Sequence, residues 1–384
     1  MIYLDHNATT PLCSEARAAM LPWLEDPAGN PSGIHAPGRR ARAAVDDARD
    51  RIAALLGAKP HEIIFTSGGT ESCNLAILGL ARRHRSGRGH LVTAATEHHA
   101  VLHAMHSLAR LYGFDLTEVP VDELGLIDPD RFASALRPDT ILASVMSANN
   151  ETGVIQPVEK LAALCRERGV LFHTDAVQAF GKIPLPPHDS AVDALSAAAH
   201  KFYGPHGAAF LRLRTGVPID SIQHGGFHEN GRRPGTENVA AIAGMAAAAE
   251  VALREVSAGT ECRREEELRE RLWLGIAAMD PSAVRNAGGG DVLANTLNVS
   301  FPGCDGETLL MGLDLEGVAA SSGSACMVGS IQASHVLLAM GVPEERARAT
   351  VRFSLGRSTT GEGIDAALAA LRSVLARQAS LRSR

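Results

Sequence analysis

No Cys-x-x-Cys pair occurs in this chain; its six cysteines stand apart at positions 13, 73, 165, 262, 304 and 326. No cluster of His, Cys and Asp has the spacing of a metal site, so no metal is expected. The chain does not open on a basic patch followed by an apolar stretch: it begins Met1-Ile2-Tyr3-Leu4-Asp5, and no secretory signal is expected. A large chain without such a signal is not expected to rest on a disulfide framework. No apolar run reaches the length of a membrane span. The longest charge-free run, residues 317–343, is rich in Ser and Gly. An excess of basic charge is missing too. The 37 Lys and Arg face 43 Asp and Glu, a net charge of -6, which gives no reason to expect a nucleic-acid partner. These absences together predict a cytoplasmic protein with reduced thiols, held by neither membrane nor nucleic acid. There are no internal repeats.

What is present has an ordinary globular composition, 45% hydrophobic and 21% charged. At 384 residues the chain is too long for one core, and two domains are expected. Apolar strand-like runs at 62–66, 91–95, 141–146, 170–173 and 194–199 alternate with helical patterns such as 71–83 and 101–112. That alternation predicts an α/β fold with a mostly parallel sheet. In such sheets ligands sit at the carboxyl ends of the strands, and the polar clusters of this chain fall at those ends. Ser67-Gly68-Gly69-Thr70, His98, Asn149-Asn150-Glu151, Asp175 and His200-Lys201 each follow an apolar run. Further on, 239–274 reads as long helices and 296–301 as a strand. A closing helix puts Ile364, Leu368, Leu371 and Leu375 on one face, with Thr359 and Glu362 as its capping box.

Six places can carry chemistry. Lys201 follows Ser196-Ala197-Ala198-Ala199-His200; partial desolvation there lowers an amine's pKa and makes it a Schiff-base nucleophile. A solvated lysine at a strand end is the alternative. Asp175 puts a carboxylate at the mouth of a buried strand, suited to a protonated ring nitrogen or, more plainly, to a helix N-cap. Ser67-Gly68-Gly69-Thr70 lets backbone approach an anion at a helix start, though such a turn is often only a turn. His98 can stack on a ring or carry a proton, or be an ordinary loop histidine. Cys326 sits among small polar residues, Ser321-Ser322-Gly323-Ser324-Ala325. There it is either an accessible, reactive thiol or a buried structural one. Arg352, in Val351-Arg352-Phe353-Ser354, has the fork geometry for a substrate carboxylate, or is a surface arginine.

Taken in order, these segments resemble the cysteine desulfurases of the NifS/IscS type, in the class V aminotransferase fold. The resemblance runs from Asp5 and Asn7-Ala8-Thr9-Thr10 through Gly29-Asn30-Pro31-Ser32 and Thr66-Ser67-Gly68-Gly69-Thr70-Glu71-Ser72. It continues with Glu97-His98, Asn149-Asn150-Glu151-Thr152-Gly153, His173-Thr174-Asp175-Ala176-Val177-Gln178 and His200-Lys201. It closes with Arg233-Pro234-Gly235-Thr236-Glu237-Asn238, the Cys326 segment and Arg352-Phe353-Ser354-Leu355-Gly356-Arg357. It implies a fold type I transferase dependent on pyridoxal 5′-phosphate (PLP). A large domain over 15–255 would carry the mostly parallel sheet. A smaller α+β domain, 1–14 plus 256–384, would carry the cysteine loop at about 322–334.

The resemblance also implies roles. Lys201 would bind the cofactor covalently and later move the substrate's Cα proton. Asp175 would pair with the pyridine nitrogen. Gln178 and Asn150 would bond the O3′ side of the ring, and His98 would stack on it and assist proton transfer. Gly69, Thr70 and His200 would hold the phosphate, joined by Thr236 from the second subunit of a homodimer. Arg352, with Asn150, would bind the substrate carboxylate. Cys326 would take the sulfur of L-cysteine as a persulfide, leave L-alanine, and pass the sulfur to an acceptor protein in iron–sulfur assembly or another pathway.

Two departures from the family pattern stand out. Ala198 occupies a position that usually carries a hydroxyl or thiol near the phosphate, which predicts weaker cofactor retention. After Cys326 the chain reads Met327-Val328 and then Ile331-Gln332-Ala333-Ser334, less polar than the family's loop, which leaves the acceptor open. The rival readings are a selenocysteine lyase, another class V lyase or aminotransferase, and a non-catalytic sulfur-pathway scaffold.

Overall fold

The computed structural model describes residues 1–26, 28–85, 89–322 and 333–382. A seven-stranded sheet forms its centre, and its strands lie in the spatial order Ile63–Thr66, Ala209–Leu213, Ala194–Ala198, Leu171–Asp175, Thr140–Ser144, His90–Ala94, Asp115–Val119. All pairings are parallel except those made by Ala209–Leu213, which runs against both neighbours. The expected α/β fold with a mostly parallel sheet is therefore what the chain forms. Most of its strands are buried along all or nearly all of their length because helices cover both faces, which is why they read as continuous apolar runs rather than alternating ones.

The helices follow the sequence pattern with shifted ends. The helical pattern at 71–83 begins two residues earlier, as Gly69–Arg83, and the pattern at 101–112 begins at His99. The long helical stretch after 239 is two helices, Val239–Ala258 and Thr260–Met279. They break at Gly259, whose φ of 65° is left-handed and favours glycine. The Ala-rich first helix buries residues such as Ala246 and Ala249, since small side chains let Ser14–Glu25 and Ala36–Leu55 pack closely on it. One local expectation fails. Thr359 accepts from Gly356 N within a tight turn, so the cap of the last helix passes to Thr360, whose hydroxyl accepts from Gly363 N. With two adjacent threonines, the turn takes the first and the helix the second.

A second, antiparallel sheet joins Thr350–Ser354, Thr296–Ser300 and Val284–Arg285. A separate apolar cluster behind it links Leu4 to Leu272, Ile276, Val299, Phe353 and Leu371. The N-terminal segment ties the two sheets together. Ile2–Tyr3 pairs with Val318–Ala319 and Asp5 bridges to Ser354, while Thr10 and Cys13 donate to the carbonyls of His200 and Tyr203. This crossing lays Asn7 and Ala8 over the carboxyl ends of the large sheet.

Candidate active site

Those carboxyl ends open into one cavity of about 390 Å³. Nine of the residues singled out from the sequence line it: Gly69, Thr70, His98, Asn150, Asp175, Gln178, His200, Lys201 and Arg352. They come from places far apart in the chain: the parallel topology gathers those at strand ends and helix starts, and the antiparallel sheet brings Arg352 to them.

Asp175 ends the strand Leu171–Asp175 and is 5% exposed. One oxygen accepts from Val177 N at 2.9 Å; the bond closes a turn, since no helix starts here, so the expected N-cap role is not the one it plays. Burial pushes its carboxyl up, and His98 and Lys201 beside it work in the opposite direction. His98 is the N-cap of His99–Tyr112, and its Nδ1 accepts from Ala100 N at 3.0 Å. That bond fixes the tautomer: the neutral ring carries its proton on Nε2. Burial lowers the pKa of His98, and the positive end of the helix dipole acts in the same sense.

Lys201 lies in the short turn after Ala194–Ala198, and its amine donates to the carbonyls of Asn7 and Ala8 at 2.6 and 2.8 Å. Beside it His200 is held well below its ordinary value, at about 4, by burial and then by Lys201 and His206. Gly69 and Thr70 open the helix Gly69–Arg83, where the first backbone N–H groups have no partner within the helix. A Cβ on Gly69 would come within 2.8 Å of Val177 Cγ2, so glycine is needed for this close approach. Ala198 also lines the cavity here.

On the opposite wall stands Arg352, from the antiparallel sheet and only 3% exposed. Its guanidinium bridges to Asp5 at 2.6 Å and donates to the carbonyl of Asn150 at 2.8 Å. Its Nε is buried and has no partner among the described residues, which leaves a donor for an anion. Thr236 is exposed and does not line this cavity. Cys326 lies outside the described residues.

The family model described as Aminotransferase class-V matches residues 2–367. A cysteine desulfurase IscS of Dictyoglomus turgidum is 46% identical over 374 residues, 97% of this chain and 94% of the relative. A solved NifS-like protein superposes with a TM-score of 0.91 at 36% identity, covering 98% of this chain and 99% of its own. The chain belongs to the cysteine desulfurase family of class V aminotransferases. Another solved relative, SspA in complex with cysteine, gives a TM-score of 0.81 at 35% identity over 92% of this chain and 99% of its own.

This desulfurase-family chain also shows site residues to which sequence reasoning gave no role. Asp5 and Asn7 belong to the matched N-terminal motif, but their tasks, holding Arg352 and offering a carbonyl to Lys201, leave no trace in residue type. Cys73 is buried on the helix Gly69–Arg83 and hydrogen-bonds Asp175. Its helical position facing the sheet was legible, but its partner lies a hundred residues away. Lys182 donates to Gln178 Oε1 at 2.6 Å, within a turn rather than a helix, so no periodicity announced the pair.

Proposed function

We propose that this protein is a PLP-dependent cysteine desulfurase, and the observation that carries the reading is the composition of its cavity. An amine (Lys201), a buried carboxylate (Asp175), a neutral imidazole (His98), a helix start (Gly69, Thr70) and a buried arginine (Arg352) face one space. The donor set fits PLP. Asp175 has one carboxylate oxygen beyond its bond to Val177, suited to a pyridinium N–H. The backbone N–H groups at Gly69 and Thr70, with His200, suit a phosphate. Gln178 and Asn150 are at hand for the ring's oxygen. When bound, PLP supplies an electron sink for the pair left when a substrate loses its Cα proton.

The chain's own groups then divide the work. Arg352 and Asn150 hold the carboxylate of L-cysteine. Lys201, whose amine would hold PLP, would also take the Cα proton. His98, which lines the same cavity with its proton on Nε2, would carry a proton there. The Cys326 thiolate attacks the substrate sulfur. The S–S bond forms as the C–S bond breaks, the bonding pair stays with carbon, and protonation of that carbon gives L-alanine. Cys326 keeps the sulfur as a persulfide and hands it to an acceptor protein, in iron–sulfur assembly or another sulfur pathway. Cysteine is the bound compound named for SspA, which supports the choice of substrate.

The separate apolar cluster behind the antiparallel sheet supports reading 15–255 as the PLP-holding domain and 1–14 with 256–384 as the smaller one. Exposed Phe227, near exposed Thr236, supports a homodimer in which Thr236 serves the partner's phosphate site. No described helix is long and apolar enough to cross a membrane. The described cysteines are free thiols, in keeping with a reducing cytoplasm. The test is direct. Purified protein is incubated with PLP, L-cysteine and a reductant, and alanine and sulfide are measured for wild type and Cys326→Ala. Both products from wild type and little of either from the variant are expected. A yellow wild type that makes no alanine from cysteine overturns the substrate assignment.

A further inference from the structure

Lys201 also borders a second, smaller cavity, of about 40 Å³, that it shares with Lys182, Glu265, His6 and Tyr203. Lys182 has no part in the chemistry above, yet its amine is firmly engaged. It donates to Gln178 Oε1 at 2.6 Å and to Asn7 Oδ1 at 3.1 Å. Gln178 Nε2 in turn donates to the Asn7 carbonyl at 2.9 Å, the same carbonyl that accepts from Lys201. Asn7 Oδ1 accepts a second hydrogen bond, from Asn295 Nδ2 at 3.0 Å, while Asn7 Nδ2 faces Thr296 Oγ1 and the Asn150 carbonyl.

Side-chain amides can present either edge, and their neighbours decide which. An amine presents hydrogens to an amide oxygen whether or not it is protonated. The assignment therefore holds although burial, with Lys201 and Arg352 nearby and Glu265 opposing, brings Lys182 down to about 7. With Lys182 on one edge of Gln178, the oxygen is spoken for. One amide hydrogen goes to Asn7, and the remaining hydrogen is what Gln178 can offer to the larger cavity it lines.

We propose that Lys182 is a positioning residue that locks Gln178 as a hydrogen-bond donor toward the cofactor cavity, and so selects a cofactor bearing an acceptor oxygen on its ring. This rests on the reading of the cavity as a PLP site. The acceptor would be the ring oxygen of PLP, which can receive a hydrogen bond from Gln178. Without Lys182 only the Asn7 carbonyl holds the amide, and a turn of its oxygen inward, where two acceptors would oppose each other, is resisted by one bond fewer.

The experiment measures equilibrium binding of PLP and of 3-deoxypyridoxal phosphate, which lacks only the ring hydroxyl, to the cofactor-free protein. Wild type is expected to prefer PLP by about tenfold. Lys182→Met is expected to bring that ratio close to one, mainly by weakening PLP, and Lys182→Arg to preserve it. If circular dichroism shows Lys182→Met unfolded, Lys182→Leu, which can neither donate nor accept, is measured in its place against the same ratio. A variant that keeps the wild-type ratio, or weakens both compounds equally, overturns the positioning role and leaves the PLP reading intact. A wild type that binds neither compound overturns the PLP reading and this inference with it.

Discussion

The two walls of the cavity are held in place by different means. On one side Asp175, His98 and Lys201 stand at the ends of strands or the start of a helix in the large sheet, with backbone bonds such as Val177 N to Asp175 and Ala100 N to His98. On the other side Arg352 comes from the antiparallel sheet, and what fixes its guanidinium is the side chain of Asp5 and the carbonyl of Asn150. The first wall takes its backbone positions from secondary structure, although the Lys201 amine also rests on carbonyls of the N-terminal segment. The second depends on a short N-terminal segment that crosses from one sheet to the other. In the proposed reaction the first wall holds the cofactor and the second the substrate, so changes on the two sides should separate in kinetics.

The sharpest test of that separation is Asp175→Asn. The amide keeps an oxygen for Val177 N, so the local backbone is retained, but the charge is gone. Turnover is expected to fall on the order of 10²-fold or more, because a neutral partner no longer holds a proton on the ring nitrogen. The melting temperature should not drop, since a buried and desolvated carboxylate is costly to the fold. A variant that lost stability and activity in parallel would mean that Asp175 is mainly structural.

Asp5→Asn tests the other wall. Asp5 bonds Arg352 at 2.6 Å, and the buried guanidinium cannot easily find another charged partner. Loss of that pairing lets the guanidinium swing, and KM for cysteine is expected to rise about tenfold with kcat changed far less. The visible band of bound cofactor should be untouched. A lower KM would reverse the interpretation: Asp5 would then compete with the substrate carboxylate for Arg352 rather than orient it.

The same contrast explains what the sequence could and could not convey. The cofactor wall was readable because strand ends have a local signature: an apolar run that stops at Asp175, or at His200-Lys201, places its last polar residue over the sheet. Arg352 could be named from its fork geometry, but only the resemblance chose a ligand over the surface, because the strand Thr350–Ser354 that carries it is buried throughout and nothing local says that its one charge faces a ligand. The carbonyls of Asn7 and Ala8 that receive Lys201 were invisible, since every residue has a carbonyl and only the crossing of the N-terminal segment brings these two there. The Thr359 cap failed for a related reason: two threonines compete, and the tight turn at Gly356, a tertiary feature, settles which one caps.

The smallest effect concerns Ala198, on the cofactor wall beside Gly69. Its methyl lines the cavity where the family pattern has a hydroxyl or thiol, and a Cβ built on Gly69 would sit 3.5 Å from it. A serine here needs no more than one extra oxygen at the edge of a 390 Å³ space, so it should be accommodated without repacking. It adds one hydrogen bond to a phosphate at the helix start, worth about 1 kcal/mol, which corresponds to about fivefold slower loss of PLP. The measurement is the decay of the visible band after dilution into excess apo-acceptor, for wild type and Ala198→Ser. Because the change lies on the cofactor wall, KM for cysteine should stay the same while retention improves. If the two proteins lose PLP at one rate, the backbone N–H groups at Gly69 and Thr70 already saturate the phosphate, and the wall is more self-sufficient than its missing hydroxyl suggests.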